Sequence, residues 1–356
     1  MYLIKKIYFQ KNLIYKFDHI MKEKKVDLVV LVGGKGTRIS KYLKNIPKPL
    51  YKFKHKNFLS LLLNFYLKYP FNNVYLLAGH KGKKIYYKFN NKSINFTKIK
   101  CIIENKQLGT GGALRKIKKL ISERFLLVNG DSILFHDLNF IFNKKNIYKK
   151  NLILLTKRNN QESKKLVNLK INSNGKIFFS DEGKLMNAGI YHLQKKILFN
   201  IKKNTYSFEN EILTKAIHHS KMFGIASKGF FIDIGTPRFL KIGKKILPNV
   251  LEKRSAFFDR DGVINYDTKY VHKMKDFKLK PHVLNTLKFL ISKNFQIFIV
   301  TNQAGIAKKI FTLNEFISFN KELKYFFSKK GVNFDRIEFC PYHENAINIK
   351  YKKKQI

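Results

Sequence analysis

Two groups of residues in this chain have the types and spacing that phosphate chemistry requires. In the first, the apolar run LVVLV opens into Gly33, Gly34 and Gly36, then Arg38, with Lys48 ten residues later in PKPL. Glycines leave backbone N–H groups free to face phosphate oxygens. Arginine adds a rigid donor fork and lysine a mobile point charge. The loop lacks the GK[ST] ending of a Walker A motif and does not spell GxGxxG. The combination with Arg38 and Lys48 is therefore what points to a nucleotide, and a glycine turn beside two surface cations is the plain alternative.

Two carboxylates belong with this loop. Asp131 follows the strand-like run FLLV through Asn129-Gly130, and Asp233 interrupts the apolar run FFIDIG. An acid stranded among apolar residues needs a counter-charge, and Mg²⁺ is the economical one; each Asp taken singly could instead cap a turn. ENKQLGTGGAL at 104–114 offers Gly109, Gly111 and Gly112 ahead of a helix. Its backbone could approach a base or ribose closely, or simply begin a helix.

The second group is FFDRDGVIN, with Asp259 and Asp261 two apart after an apolar run, followed by TNQAGIA at 301–307. One carboxylate can attack phosphorus while the other handles the leaving-group proton, both beside Mg²⁺. The Thr301 hydroxyl and a backbone N–H at Asn302 could hold the phosphoryl oxygens. An acidic turn is the alternative.

The elements that must position these residues alternate as α/β proteins do. Residues 26–32 read as a buried parallel strand ending in glycines. Strand patterns follow at 73–77, 99–103, 124–128, 151–156, 187–193 and 230–234, with helices at 58–68 and 112–121. Ligands of such sheets collect at the carboxyl ends of the strands. The first domain is expected over 26–245, after an N-terminal extension at 1–25, with 246–254 as a linker containing Pro248. The βα rhythm restarts over 255–356, with strands at 255–258, 295–300 and 335–339 and helices at 281–292 and 312–329.

Residues 26–240 resemble the sugar-1-phosphate nucleotidyltransferases through GGKGTR, PKPL, LGTGG, VNGDS, NAGIY and FIDIGTP, in family order. The group they resemble most is that of D-glycero-D-manno-heptose 1-phosphate guanylyltransferases. The resemblance implies a Rossmann-like (GT-A-like) fold, transfer of a nucleotide from GTP or another NTP to a sugar 1-phosphate, and release of pyrophosphate. It further implies that Arg38 and Lys48 contact phosphates and that Asp131 and Asp233 hold Mg²⁺. Gly109 would lie near the base, with Thr37 and Thr110 in the same nucleotide-contacting segments. Asn187, Gly189 and Glu209 would face the sugar, and Lys184 is the nearest candidate for its phosphate.

Residues 255–343 resemble the haloacid-dehalogenase-like (HAD-like) phosphatases, above all the heptose 1,7-bisphosphate phosphatases, through FFDRDGVIN, TNQAGIA and FCPYH. This implies Asp259 as nucleophile and metal ligand, Asp261 as general acid/base and metal ligand, and Thr301 as phosphate binder. The family's zinc loop is not matched: Tyr342 follows Cys340-Pro341, His343 comes one place late, and no cysteine follows. A tetrahedral site needs four ligands, so Zn²⁺ is not expected. We expect a partial HAD-like domain with weak or lost hydrolysis, whose open sheet edge a second subunit could cover. The rival readings are a mannose- or glucose-1-phosphate nucleotidyltransferase with a relic C-terminal domain, and a non-catalytic scaffold.

Composition limits the remaining classes. Seventy-two Lys and Arg against 23 Asp and Glu give +49 over 356 residues. Lysine is spread along the chain, without zinc-finger spacing or a recognition helix, so we read general bias plus anionic substrates and expect no specific nucleic-acid partner. Two cysteines suggest a reducing compartment, here the cytoplasm. No run of 18 uncharged apolar residues predicts a transmembrane segment.

Overall fold

The run Val26–Leu31 forms β1, whose alternate side chains enter two different cores. A computed structural model describes residues 25–104, 108–143, 150–157, 168–199, 206–251 and 253–353, so the expected extension at 1–25 lies outside them apart from Lys25. The remaining strands of the first half are β2 (Lys52–Phe53), β3 (Lys56–Asn57), β4 (Asn73–Ala78), β5 (Ser93–Ile94), β6 (Thr97–Ile103) and β7 (Arg124–Asn129). They continue as β8 (Ser132–Leu134), β9 (Asn151–Lys157), β10 (Leu169–Ile171), β11 (Ile177–Phe179), β12 (Leu185–Gln194), β13 (Met222–Ala226) and β14 (Phe231–Asp233). The longer helices are α1 (Phe58–Leu67), α2 (Gly82–Phe89), α3 (Gly109–Ile117) and α4 (Pro237–Leu251).

The main sheet runs β11-β10-β12-β7-β1-β4-β6-β5, with β9 paired to β12 and β13 to β9. Its centre is parallel: Leu28 pairs with Val74 on one side and Leu126 on the other. Leu28 and Val30 face a core shared with Phe58, Leu62 and Tyr66 of α1. Val29 faces the opposite core with Ala113, Leu114 and Ile117 of α3. Helices on both faces explain why β1 reads as one apolar run. Its single acid, Asp27, is fully buried but accepts hydrogen bonds from the Asn73 and Ser122 backbones at 3.0 and 2.6 Å. The Asn57 side chain caps α1 by accepting from Ser60 N–H at 2.9 Å.

The second half contains β15 (Ser255–Asp259), β16 (Gln296–Asn302) and β17 (Arg336–Cys340) in one parallel three-stranded sheet. Helices α5 (Val283–Ser292) and α6 (Leu313–Lys329) accompany them. α6 opens with a capping box between Thr312 and Glu315. Ile297, Ile299 and Ile337 meet Leu287, Phe319, Leu323 and Phe327 in its core.

The expected linker at 246–254 is not a loop through most of its length. α4 runs to Leu251 with Pro248 inside it. Leu240 and Leu247 bury into the first core, and that burial outweighs the hydrogen bond a mid-helix proline forgoes.

The halves are joined by the two-residue turn between β5 and β6. Asn95 (φ 47°) and Phe96 (φ 65°) both adopt the left-handed region that such hairpins need, unusual for a phenylalanine. The Phe96 ring packs against Phe316 and Phe339 of the second half, each at 5.9 Å. The Asn95 amide donates to Leu67 O at 3.0 Å and Phe334 O at 3.2 Å, and its oxygen accepts from Ile337 N–H at 3.3 Å. Lys324 of α6, buried, donates to Leu67 O at 2.8 Å and Asn95 O at 3.1 Å. Ser328 and Asn333 donate to Asn139 Oδ1 at 2.7 and 3.0 Å.

Burial, helped by Lys321, lowers the Lys324 pKa from 10.5 to about 7. Between those values the unfolded chain holds a proton that the folded chain has released, so stability rises with pH across this window. Denaturant unfolding at pH 7 and pH 10 should show that rise, and Lys324→Met should show a smaller one. Equal rises would remove Lys324 as its source.

Candidate functional site

β1 ends against Gly33, whose backbone packs on Gly79 while its carbonyl accepts from His80 N–H at 3.1 Å. Gly34 is exposed, with open space where a side chain would stand. Gly36 is left-handed (φ 66°), and a methyl there would press on Leu43 at 2.9 Å and Lys48 Cβ at 3.3 Å. A short 3₁₀ turn, Thr37–Ile39, follows, with Ile39 buried and Thr37 and Arg38 exposed. Lys48 starts a second 3₁₀ turn between Pro47 and Pro49 and is only 8% exposed. A buried ammonium needs a counter-charge, and its Nζ pairs with Asp131 Oδ2.

Asp131 and Asp233 are brought together by a two-stranded ribbon. β8 and β14 pair antiparallel with Asp233 opposite Ser132, and Ile234 N–H donates to Asp131 O at 2.9 Å. Both carboxylates therefore stand at one end of the ribbon. Asp233 Oδ1 accepts from Gly235 N–H at 2.7 Å. A Cβ on Gly235 would lie 2.8 Å from Asp233 Oδ1 and 3.1 Å from Arg38 Nη2, so the guanidinium hangs over the same turn. The structure thus gathers Gly36, Arg38, Lys48, Asp131 and Asp233 beyond the carboxyl ends of β1 and β7.

Next to this cluster, one pocket is lined by Asn129, Ser132, Asn187, Gly189, Asp233 and Thr236, among others. Gly189 has φ 72°, and a side chain there would meet Asn129 Nδ2 at 2.5 Å. Asn187 Oδ1 accepts from Gly189 N–H at 2.8 Å, and its Nδ2 donates to Tyr191 Oη at 2.6 Å. Tyr191 in turn donates to Glu209 Oε1 at 2.9 Å, which Asn129 Nδ2 also approaches at 3.4 Å. Burial and the Glu209 carboxylate push the Tyr191 phenol well above its ordinary range, keeping it a donor. Tyr191 was not legible as part of this set; its position at the i+4 place after Asn187, within an apolar strand, was the available signal.

Lys184 is exposed and lies outside the residues lining that pocket. Gly109 (φ 70°) and Thr110 also stand apart from it. Their segment is braced by 206–208: Gly111 N–H donates to Tyr206 O at 3.1 Å, and Phe208 N–H to Thr110 Oγ1 at 2.9 Å.

In the second half, Asp259 ends β15 and accepts from Arg260 N–H at 2.7 Å. Asp261 is gripped by Arg260 Nε and Nη2 at 3.1 and 2.8 Å, by Asn265 Nδ2 at 3.0 Å and by Gln303 Nε2 at 3.0 Å. Gln303 also donates to Thr301 Oγ1 at 2.9 Å, linking the two motifs. Thr301 is buried, whereas Asn302 is exposed on β16 opposite Cys340. Arg260 is fully buried over the Phe319 ring at 5.0 Å. Sequence reading passed over Arg260, Asn265 and Gln303, although an arginine between two aspartates in an apolar run was a visible cue.

Among the described residues no three or more His, Cys, Asp or Glu gather into a metal-holding group. The hard oxygens come in pairs, Asp131 with Asp233 and Asp259 with Asp261. Mg²⁺ fits such pairs, because it takes one or two carboxylates and completes its shell with substrate phosphates and water. No helix among the described residues is long and apolar enough to cross a membrane.

Comparison with known proteins gives matches of different extent. The family model for nucleotidyl transferase covers residues 28–247. D-glycero-alpha-D-manno-heptose 1-phosphate guanylyltransferase of Aneurinibacillus thermoaerophilus is 29% identical over 237 residues, 64% of this chain and 100% of that protein. The crystal structure of HddC from Yersinia pseudotuberculosis complexed with GMP-PN superposes with a TM-score of 0.51 at 26% identity, over 62% of this chain and 99% of that one. D-glycero-beta-D-manno-heptose-1,7-bisphosphate 7-phosphatase of Photorhabdus laumondii is 36% identical over 99 residues, 28% of this chain. That match spans about half (53%) of the phosphatase's own length.

The Tyr191 hydroxyl holds both Asn187 and Glu209, so Tyr191→Phe should leave the buried Asn187 amide and the half-buried Glu209 carboxylate without that partner. We expect a loss of about 1–3 kcal/mol in denaturant unfolding. An unchanged midpoint would show that this network does not hold the pocket wall.

Proposed function

Because the chain belongs to the nucleotidyl transferase family, we propose that it transfers a guanylyl group from GTP to a heptose 1-phosphate, releasing pyrophosphate. The observation that carries the reading is the convergence of Arg38, Lys48, Asp131 and Asp233 on one end of the β8–β14 ribbon, beside the Asn187–Gly189 pocket. The choice of GTP and of a heptose is supported by the guanylyltransferase relative and by the GMP-PN bound to HddC.

In this reading a phosphate oxygen of the sugar attacks the α-phosphorus in line. The new O–P bond forms as the α–β bridging bond breaks, and pyrophosphate leaves with the electron pair. The backbone at Gly33–Gly36 and the Arg38 and Lys48 cations hold the triphosphate. Their charge is aimed where negative charge develops on the phosphoryl oxygens. Asp131 and Asp233 would hold Mg²⁺, which when bound neutralises phosphate charge. Asn187, Gly189 and Glu209 line the sugar side, and the segment at Gly109–Thr110 approaches the base. For the second half, we propose phosphate binding at Asp259, Asp261 and Thr301 with little hydrolysis, since Arg260, Asn265 and Gln303 engage both oxygens of Asp261.

Pyrophosphate release measured over four NTPs and several sugar 1-phosphates should peak for GTP with the heptose. Arg38→Ala and Asp233→Ala should each lower turnover by about 10²–10³-fold in folded protein. Near-normal turnover in Asp233→Ala would overturn the metal assignment. A peak with mannose or glucose 1-phosphate would replace the proposed sugar.

Phosphate release from heptose 1,7-bisphosphate should be slow or absent. Robust release abolished by Asp259→Ala would show a competent phosphatase instead.

A further inference from the structure

A second cavity, of about 710 Å³, lies where the two halves meet, away from both sets of aspartates. One wall comes from the β2–β3 hairpin, the end of α1 and residues 135–139; the other comes from β16, β17 and their flanks. We propose that this cleft is a further nucleotide site, taking a small ligand that combines a planar ring with phosphate. It goes beyond the transfer reaction and does not depend on it.

Four basic side chains line the cleft, Lys56, Lys68, Lys253 and Arg336, against two carboxylates, Asp137 and Asp335, and Arg336 also pairs with Glu338 at 3.2 Å. Each carboxylate accepts a hydrogen bond from the protein's own backbone. Asp137 Oδ1 accepts from Asn139 N–H at 3.0 Å, and Asp335 Oδ2 accepts from Ile297 N–H at 2.9 Å. Lys68 is partly buried at the end of α1, with its ammonium 4.8 Å from the centre of the Phe65 ring and 5.2 Å from that of Tyr69. It makes no ion pair within 4 Å among the described residues; desolvation and Lys253 lower its pKa, against the pull of Asp335 and Asp137. A desolvated cation beside a second cation is stabilised further by a bound anion.

The apolar lining selects the rest of the ligand. Phe65 and Tyr69 stand on one wall and Phe295 and Phe298 on the other. Aromatic walls favour a planar π-face over a bare sugar, and base–aromatic stacking contributes about 1–3 kcal/mol per base. The volume falls within the range of about 300–1,000 Å³ that small-ligand sites occupy, and domain junctions are common places for them. Because the walls belong to different halves, an occupant bears on both.

Hydrogen exchange on the full chain tests this with GDP in one arm and inorganic pyrophosphate in the other. GDP should slow exchange at 64–69 and 295–298, and pyrophosphate should do so less. Lys253→Glu and Arg336→Glu, both at exposed positions, should together raise the GDP concentration needed there about tenfold or more, without changing any protection at 31–38. Lys68→Met is the companion variant at the cleft itself. Protection confined to 31–38, or indifference to the charge reversals, would overturn the site. Equal protection by pyrophosphate would reduce it to a phosphate site without ring recognition. Each readout is independent of turnover, so failure of the transfer reading leaves it intact.

Discussion

The register of the β8–β14 ribbon is the constraint on which the candidate transfer site depends. Asp233 stands opposite Ser132, and the Ile234 N–H reaches back to Asp131 O. Strand side chains alternate faces, so a slip of one residue would carry Asp233 to the other side of the ribbon. Just before Asp131, Gly130 lets the chain pass close against the end of β1, because a side chain there would collide with Val32 and the Leu31 carbonyl. The two acids then fix the cations: Lys48 is buried because Asp131 neutralises it, and Arg38 hangs over the Gly235 turn that Asp233 shapes. A single pairing pattern thus places four charged groups that the sequence scatters.

The junction between the halves uses a different physics. It concentrates strain in the Asn95-Phe96 turn, where a left-handed phenylalanine is held by the aromatic surroundings it enters. Around it, buried polar groups find partners across the junction: the Asn95 amide, the Lys324 ammonium and the Asn139 carbonyl oxygen. Such a contact is directional as well as apolar, and sliding one half over the other would strand these groups. The cavity beside it is therefore bounded by walls whose spacing is fixed.

The parts of this fold that sequence made visible are those set by local pattern. β1, β4, β6 and β7 are apolar runs between glycines or charges, and each forms a strand within a residue or two of the expected bounds. The candidate transfer residues were visible because they sit in short motifs at strand ends. The linker was misread because Pro248 and its charged neighbours look like a break, whereas the buried stripe through Leu240 and Leu247 carries the helix onward. Lys184 stands three residues before Asn187 in sequence, yet it is exposed and does not line the pocket that Asn187 lines. Asn95, Tyr191 and Lys324 were illegible for a common reason: each acts through groups distant in sequence, and no local periodicity encodes such bonds.

The charge imbalance gives the few acids added meaning. With 23 carboxylate residues for 72 Lys and Arg, most cations cannot find an acid, and many lysines rest over aromatic rings instead. Lys118 lies 3.9 Å from the centre of Phe199, and Lys150 4.3 Å from that of Phe223. Contacts of this kind contribute about 0.5–1 kcal/mol at exposed sites and leave the positive field in place. That field concentrates anions such as nucleotides and sugar phosphates near the protein, more strongly at low ionic strength. It supplies attraction without selectivity. Where an acid is set among the cations, as Asp131 is beside Lys48 and Asp261 beside Arg260, the charge is oriented rather than merely abundant.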